Sequence, residues 1–354
     1  MAAPLAAPSE AAVLDALRAV QDPDLHQDIV ALGFVKDLRI CGGSVAFSIE
    51  LTTPACPVKD LMKGQAERAV RALPGVDSVA IEMTARVTAS RPVLGNKGMI
   101  PGVKNVIAVS SGKGGVGKST VAVNLACALR RTGARVGILD ADVYGPNVPL
   151  MLGVSGQPTV VDKKIVPFER HGLQVMSMAL LVAEDQPVIW RGPMLHSAVR
   201  QFLFDVAWHE LDYLVVDLPP GTGDAQLSLS QQAHLMGAVI VTTPQDVSVL
   251  DVKKAIRMFQ TVNVPILGVV ENMAWFTPPG HTERYYLFGQ GGGQKIEREF
   301  GVPLLGQIPI EIAVREGGDG GQPIVVAAPD SASARALSDI AGKVAQRISI
   351  LNAE

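Results

Sequence analysis

The chain has 354 residues, of which 48% are hydrophobic and 18% are charged, with a formal net charge of −3. These values exclude a disordered chain, and the near-neutral charge argues against nonspecific nucleic-acid binding. Three scattered cysteines are too few for a disulfide framework, which favours a reducing compartment. The start has no signal-peptide pattern and no apolar run approaches the roughly 20 residues of a membrane span, so we expect a cytoplasmic protein.

The first part of the chain predicts a small α+β domain over residues 8–89. Ser9 is placed to cap a helix whose apolar residues follow helical spacing. Residues 33–40 and the alternating stretch 45–51 predict a hairpin around Gly-Gly, and a second helix and a third strand at 76–83 follow. The order α-β-β-α-β is typical of a compact module with little room for an elaborate active site.

Cys56 is the one cysteine in a chemically suggestive place. It stands between Ala55 and Pro57, where the second helix is expected to begin, and a helix N-terminus lowers the pKa of a nearby thiol. Cys56 is therefore a candidate reactive or metal-binding residue, although a lone cysteine is as often a small buried hydrophobe. We interpret Cys41, at the hairpin, and Cys127, on an apolar helix face, as structural.

Residues 90–104 mix proline, glycine and basic residues without periodicity, which predicts an interdomain linker. From residue 105 to residue 354, apolar strands alternate with helices, a pattern typical of a mostly parallel sheet covered by helices on both faces. The predicted strands are Val106–Ser110, Arg135–Asp140, Leu173–Met178, Tyr213–Asp217, Ala238–Thr242, Ile266–Val270 and Leu304–Ile308. Ligands of such sheets bind at the carboxyl ends of the strands.

The first of these strands leads directly into a glycine-rich loop and then a helix. The loop fits G-x-x-x-x-G-K-[ST] in the required strand–loop–helix context, which argues against a turn that binds nothing, and we expect a nucleotide site in a P-loop NTPase fold. The predicted phosphate cradle is Gly112, Lys113, Gly114, Gly115, Val116, Gly117, Lys118, Ser119 and Thr120. Within it, Lys118 is expected to reach the β- and γ-phosphates and Ser119 to bind Mg²⁺.

Polar residues follow three further strands. Asp140 and Asp142 come just after the second strand, and their spacing from the loop favours a role near the phosphates, with Asp140 supporting Mg²⁺ through water. Asp217 ends a strand of four apolar residues and is a second candidate to hold Mg²⁺ through water. Asn272 follows another strand, and an amide offers both a donor and an acceptor.

The loop G-K-G-G-V-G-K-S-T resembles the deviant P-loop of the MinD, ParA and nitrogenase iron protein class. This resemblance implies that Lys113 crosses a homodimer interface to the partner's nucleotide, so that ATP controls dimerisation. It also implies that Asp142 orients the attacking water and that Asn272 recognises the adenine edge. A turn-forming role for Asn272 is the alternative.

Two sets of phrases point to a narrower class. D-P-D-L (22–25), D-I-V-A-L-G (28–33) and T-T-P-A-C-P (52–57) resemble the DUF59-type domain of iron–sulfur protein assembly. The second set is D-A-D-V-Y-G-P-N-V-P (140–149), W-R-G-P-M (190–194), D-L-P-P-G-T-G-D (217–224), V-E-N-M (270–273) and F-G-Q-G-G-G (288–293). With these phrases, both halves together resemble the Mrp/ApbC-type iron–sulfur cluster carriers over most of the chain. This resemblance implies a homodimer that binds a cluster, transfers it to apoproteins and hydrolyses ATP slowly, with assembly factors as further partners.

One departure from that class concerns the cargo. Many relatives carry C-x-x-C after E-N-M, whereas residues 274–286 contain no cysteine, and thiolates are the usual ligands of such clusters. Either Cys56 and other groups supply the ligands, or this chain binds clusters weakly or not at all. The alternative is a MinD- or ParA-like dimerisation switch that positions a partner without a cluster. We expect neither membrane nor nucleic-acid binding, because the final helix has few cations and the charge shows no basic excess.

Overall fold

A computed structural model describes residues 7–90, 98–142, 145–181 and 192–353. The contacts divide the chain into two units. One contains the described residues up to Thr88 together with those from Ala345 onward, and the other runs from Ala89 to Val344. Residues 91–97 of the predicted linker and the W-R of W-R-G-P-M lie outside the described residues.

The first unit has the predicted small α+β fold. A three-stranded sheet pairs β3 with β4 antiparallel, and β4 with β5 parallel, and two very short strands pair beside it. The first helix begins after Ser9, whose Oγ accepts a hydrogen bond from the Ala12 N–H at 3.2 Å, as the capping pattern predicts. Its elements are α1 (Glu10–Leu17), β1 (Gln21–Asp22), β2 (Gln27–Asp28), β3 (Val35–Cys41), β4 (Ser44–Leu51), α2 (Lys59–Arg71) and β5 (Ser78–Ala85).

The core of this unit lies between β4 and the two helices. Alternate residues of β4 are buried, as the period of two predicts, and they share one hydrophobic cluster with residues at helical spacing on α2. Each fully buried aliphatic or aromatic side chain contributes about 1.5–3 kcal/mol relative to exposure. The main members are Val45, Phe47, Ile49 and Leu51 on β4 and Met62, Ala66 and Val70 on α2.

The second unit contains the large sheet predicted from the alternating pattern. Its eight strands run in the order β10-β11-β7-β12-β6-β13-β14-β15, all parallel except the edge strand β10. The strands are β6 (Val103–Ser111), β7 (Val136–Asp140), β10 (Phe168–Arg170), β11 (Leu173–Ser177), β12 (Leu211–Asp217), β13 (Gly237–Thr242), β14 (Ile266–Glu271) and β15 (Leu304–Gln307), with a hairpin of β8 (Val160–Val161) and β9 (Lys164–Ile165).

Helices flank this sheet. The helix α3 packs against β6, β7 and β12, and α7 packs against β6, β13 and β14. In α11, Leu337, Ile340, Val344 and Ile348 are buried at helical spacing, and Ile340 lies against Gly306 of β15. The helices are α3 (Lys118–Arg131), α4 (Val148–Leu152), α5 (Gly192–Phe204), α6 (Asp224–Gln232), α7 (Asp246–Thr261), α8 (Gly292–Phe300), α9 (Ile312–Asp319), α10 (Ile324–Ala327) and α11 (Ala332–Ala353), with a 3-10 turn at Met178–Leu181.

Two details differ from the predicted boundaries 8–89, 90–104 and 105–354. Gly98 exchanges backbone hydrogen bonds with the chain around Ala233, and β6 begins at Val103, so residues 98–104 belong with the sheet. At the other end, the Asn352 side chain donates to the Thr88 carbonyl at 3.2 Å, so the last residues belong with the first unit. The division into independently folding domains stays a prediction. No helix in the described ranges is long and apolar enough to span a bilayer.

Candidate functional site

The predicted phosphate loop connects β6 to α3 at the carboxyl edge of the sheet. Gly117 precedes the helix with φ of +80°, a conformation that favours glycine. A Cβ at Gly117 would also stand 2.3 Å from Nδ2 of Asn272. At the other end, a Cβ at Gly112 would stand 2.3 Å from the backbone carbon of Asp251 in α7. Both glycines are therefore required by the close packing of the loop.

Hydrogen bonds hold the loop in place. The Ser111 hydroxyl donates to the Lys113 carbonyl at 2.9 Å, and the Gly221 N–H donates to the Ser111 carbonyl at 3.0 Å. The Asn272 side chain donates to the Val116 carbonyl at 2.9 Å and is 8% exposed. The loop is thus preorganised, and the structure brings Asn272 behind it. Recognition of adenine by Asn272 stays a prediction.

Lys118 lies among carboxylates from two neighbouring strands. Its Nζ donates to Oδ1 of Asp217 at 2.6 Å and is 3.8 Å from Oδ2 of Asp142. It also contacts the Ser119 hydroxyl at 3.3 Å, and the Lys118 side chain is only 7% exposed. The structure thus brings together four of the predicted site residues around one buried ammonium group.

Asp140 is fully buried beside this cluster and fixes the chain that follows β7. Its Oδ1 accepts from the Asp142 N–H at 3.1 Å. Its Oδ2 accepts from the Ser177 hydroxyl at 3.1 Å and from the Val148 N–H at 3.3 Å. The Asp140 carboxylate therefore positions Asp142 and the start of α4. Its proposed link to Mg²⁺ stays a prediction.

The carboxylates outnumber the nearby cation, which shifts their protonation. Burial, and then the charge of Asp217, raise the pKa of Asp140 to about 7, and hydrogen bonds from Asp142 and Ser177 oppose this. Burial likewise raises the pKa of Asp217 against the opposing charge of Lys118. Within the described residues, Oδ2 of Asp217 is buried without a hydrogen-bond partner. A carboxylate oxygen of this kind fits a divalent cation bound directly or through water.

Because the pKa of Asp140 is raised, its contribution to the free energy of unfolding is expected to decrease as the pH rises. The folded value is about 7 and the unfolded value is 3.8, so the folded chain binds the extra proton between them. The stabilising contribution is complete below about pH 4 and is lost as the pH rises towards 7, by an amount on the order of 2–4 kcal/mol. In urea titrations, we therefore compare the free energy of unfolding of the nucleotide-free chain with that of its Asp140→Asn variant. The value for the unmodified chain minus the value for the variant is expected to fall as the pH rises over this range.

The exposed Asp330 supplies the control for this measurement. Asp330→Asn should give a curve of unfolding free energy against pH that runs parallel to that of the unmodified chain. Parallel curves for Asp140→Asn as well would contradict a raised Asp140 pKa.

The thiol of Cys56 does not have the lowered pKa that its position in the sequence suggested. The helix α2 begins at Lys59, three residues later, and the thiol is half-buried. Burial raises the pKa of Cys56 more than the backbone hydrogen bond at Val58 lowers it, and the charges of Asp22 and Asp24 raise it further, against that of Lys59. The expected lowering of its pKa is therefore wrong, because desolvation outweighs the helix terminus.

The other two cysteines are those that the sequence indicated to be structural. Cys127 is buried, which raises the pKa of its thiol to about 12, and Cys41 is exposed in the β3–β4 hairpin. His281 is exposed. Across the described ranges, no group of three His, Cys, Asp or Glu residues is arranged to hold a metal ion.

Sequence reasoning missed two residues that support the site. Glu271 is fully buried, and its carboxylate accepts from the Gly293 N–H and from the Gln307 side chain, each at 2.6 Å. It thereby joins β14 to α8 and β15 directly before Asn272. Ser177, which orients Asp140, was also missed. An acidic residue within an otherwise apolar strand end was the available signal for Glu271, whereas no local signal marks Ser177.

A glycine-rich loop between a buried strand and a helix, with its lysine held by an aspartate from the adjacent strand, defines a P-loop NTPase. The chain belongs to the family described as ParA, NUBPL iron-transfer P-loop NTPase, which matches residues 102–345. Residues 10–83 match the iron–sulfur cluster assembly protein family. The resemblances inferred from the motifs are thereby confirmed.

Three known proteins illustrate this relationship. The iron-sulfur cluster carrier protein of Synechocystis sp. is 54% identical over 345 residues, covering 96% of this chain and 98% of its own. The protein of the same name from Deinococcus radiodurans is 51% identical over 343 residues, covering 96% and 95%. A solved structure of a nucleotide-binding protein from Archaeoglobus fulgidus in complex with ADP is 41% identical, with a TM-score of 0.58, covering 66% of this chain and 91% of that one.

Proposed function

We propose that this protein is a homodimeric, slowly hydrolysing ATPase that binds iron–sulfur clusters and transfers them to apoproteins. The observation that carries the proposal is the P-loop whose Lys118 lies among aspartates at the edge of the sheet. It occurs in a chain whose two parts both match iron–sulfur families. The relatives named iron-sulfur cluster carrier proteins support the cargo. A reducing cytoplasm, where unpaired cysteines persist, suits this role.

In this proposal, Lys118 exchanges partners when ATP binds. Without nucleotide, its ammonium group neutralises Asp217 at 2.6 Å. The phosphates of ATP enter the cradle of backbone N–H groups. They carry more negative charge than the carboxylate of Asp217, so Lys118 contacts them instead. Asp217 then loses its only strong counter-charge within the described residues, which favours a cation taking the place of Lys118.

Ser119 and Asp217 are the residues that would hold Mg²⁺. The unpartnered Oδ2 of Asp217 and the hydroxyl beside Lys118 are oxygen groups of the kind that Mg²⁺ prefers. When bound, Mg²⁺ neutralises charge that develops on the phosphate oxygens. Asp140 contributes by holding the backbone of Asp142 in place through its Oδ1.

Hydrolysis in this proposal depends on Asp142. Its carboxylate lies 3.8 Å from the ammonium group of Lys118, and its side chain is 9% exposed. A carboxylate in this position orients a water molecule for in-line attack on the γ-phosphate. Phosphoryl transfer relies mainly on positioning and electrostatics, so this arrangement is sufficient for slow turnover.

Lys113 is proposed to act on the nucleotide of a second copy. Its carbonyl is held by Ser111, while its ammonium group forms no ion pair with any described residue. A half-buried lysine next to a phosphate site is unfavourable without an anion, so a partner's triphosphate would stabilise it. ATP then promotes dimerisation by supplying that anion.

The cargo is proposed to be bound between two copies. One copy contains no three-residue metal-binding group within its described part, and C-x-x-C is absent after Asn272. Cys56 is the proposed thiolate ligand, which requires the bound iron to overcome the raised pKa of its thiol. Apo iron–sulfur proteins and assembly factors are the proposed partners, and nucleic acid and membranes are not.

Anaerobic reconstitution with iron and sulfide tests the proposal. The unmodified chain is expected to retain iron and sulfide and to show charge-transfer absorbance, with a change in cluster retention when ATP is added. Cys56→Ala should lose at least about half of the bound iron if Cys56 is a ligand, because thiolates are the normal cluster ligands. Iron and sulfide are quantified after desalting.

Cys41→Ala is the matched control, since Cys41 is an exposed thiol in the same unit. Its iron content should equal that of the unmodified chain. Equal iron in Cys56→Ala would remove Cys56 from the site without affecting the ATPase proposal. A chain that binds ATP and dimerises but retains no iron would favour the cluster-free switch instead.

A further inference from the structure

The loop between β14 and α8 presents an unusual surface. Residues 279–290 are all exposed, yet they include the run Tyr285, Tyr286, Leu287 and Phe288, with exposed fractions of 45%, 44%, 60% and 37%. Four consecutive large apolar side chains in water are costly, and such patches mark sites of association. This run therefore differs from the isolated apolar residues that are exposed on an ordinary protein surface.

The loop holds this run in a defined conformation. Phe276 and Tyr285 exchange two backbone hydrogen bonds of 2.8 Å, and the Ile310 N–H donates to the Trp275 carbonyl at 2.7 Å. The Tyr285 hydroxyl donates to Glu283 at 3.0 Å. A preorganised surface loses less conformational entropy on binding than a free loop does. The geometry thus suits recognition.

An open cavity of about 320 Å³ adjoins the run, and Tyr286 lines it. Arg284 lies over the ring of Trp275, with 4.2 Å from the guanidinium carbon to the ring centroid. Arg298 enters the cavity from α8, and its Nε donates to the Gln294 carbonyl at 3.2 Å. Arginine, tryptophan and tyrosine are the residues most enriched at binding hot spots.

The charges of this cavity are unbalanced. Neither Arg284 nor Arg298 forms an ion pair with any described carboxylate, whereas the nearby Lys295 is paired with Asp246. Among the described residues, none that lines the cavity is acidic, and Oε1 of Gln294 is buried without a hydrogen-bond partner. Two guanidinium groups without counter-charges favour ligands with carboxylates, which they bind in bidentate geometry.

We propose that Arg284–Phe288, together with Trp275 and Arg298, form a docking surface for an acidic peptide segment of a partner protein that also carries an aromatic or leucine side chain. A small anion would occupy the cavity but leave the apolar run exposed, whereas a peptide covers both. Single-stranded nucleic acid also stacks on aromatic residues, but it requires a basic track, and in the described part of the chain this surface has only two cations without an ion pair, Arg284 and Arg298. Docking at this surface requires neither ATP nor an iron–sulfur cluster.

Selection from a random-sequence peptide library displayed on phage, against the immobilised full-length chain, tests the proposal. The enriched peptides are expected to combine Asp or Glu with Phe, Tyr, Trp or Leu. In fluorescence anisotropy, an enriched peptide should bind at least about tenfold more weakly to the Arg284→Gln, Arg298→Gln double variant, and a peptide with Asn and Gln in place of its acids should bind about as weakly.

Arg315→Gln is the matched control, because Arg315 is an exposed arginine on α9 that is already paired with Glu316 and Asp319. It should bind the peptide like the unmodified chain. Absence of enrichment, enrichment without acidic residues, or equal binding by the double variant would overturn the proposal. Tighter binding of an oligoribonucleotide than of any peptide would assign the surface to nucleic acid.

Sedimentation of the unmodified chain and the double variant distinguishes a second copy from a foreign partner. Self-association that is lost in the double variant would assign the surface to a second copy and overturn the proposal. Unchanged self-association, with peptide binding lost, is the expected result. Iron content after reconstitution and ATP turnover should be unchanged in the double variant, so failure here is separable from failure of the proposed carrier function.

Discussion

Replacing Lys118 with alanine is expected to lower the affinity for ATP by roughly 100-fold or more and to abolish hydrolysis. Removing one partner of a buried charge contact costs about 2–5 kcal/mol, and each 1.4 kcal/mol is about tenfold in affinity. Lys118 is buried and is the one cation in contact with Asp217 in the described part of the chain. Calorimetric titration with ATP and Mg²⁺ measures the effect.

Variants of two other lysines provide the comparisons for this experiment. Lys254→Ala removes an exposed lysine on α7 that is paired with Asp251, and it should leave ATP affinity unchanged. Lys113→Ala should still bind ATP but should not dimerise when ATP is added, because its proposed contact lies on a second copy. ATP affinity retained in Lys118→Ala would contradict the P-loop assignment, whatever the outcome for Lys113.

Gly112→Ala is expected to lower the free energy of unfolding by about 2 kcal/mol, or more if the loop cannot move. The added Cβ would stand 2.3 Å from the Asp251 carbon and 2.5 Å from the Val252 nitrogen. These are backbone atoms of a helix, so no side-chain rotation relieves the clash. For a unit of this size we expect a fall in melting temperature of roughly 4–8 °C, measured by differential scanning calorimetry without nucleotide.

Gly114→Ala is the matched control in the same loop. No atom lies within 4 Å of the position of its added Cβ, and the backbone at Gly114 is not in the left-handed region. Its melting temperature should therefore stay within about 2 °C of that of the unmodified chain, since surface substitutions change stability by about 0.5 kcal/mol or less. Equal melting temperatures for both variants would show that the loop does not pack on α7 as described.

Much of the fold could be predicted because its signals are local. Buried parallel strands appear as apolar runs, and all seven predicted strands of the large sheet occur, with ends within about three residues of the prediction. The edge strand β10 was missed, because its three residues are largely exposed and form no apolar run. The α+β order of the first unit could also be predicted, since apolar and polar residues of β4 alternate with period two.

Two predictions that depended on contacts between residues distant in sequence differ from the structure. The pKa of Cys56 was expected to be lowered by the following helix, but burial and two aspartates from another part of the first unit raise it. Likewise, residues 98–104 were predicted to be linker, but Gly98 pairs with the chain near Ala233. In both cases the deciding partner is far away in sequence, where composition and periodicity carry no information.

By itself, the sequence determined the nucleotide-binding loop, because backbone N–H groups bind phosphate wherever glycines and a following helix allow the turn. Only the tertiary structure decided the protonation of the site, since Asp140 and Asp217 come from different strands and are buried close to each other and to the charge of Lys118. It also decided that Arg284 and Arg298 share one cavity, whose described lining residues include no carboxylate. Electrostatics depends on distance and burial, and both are fixed only when distant segments pack together.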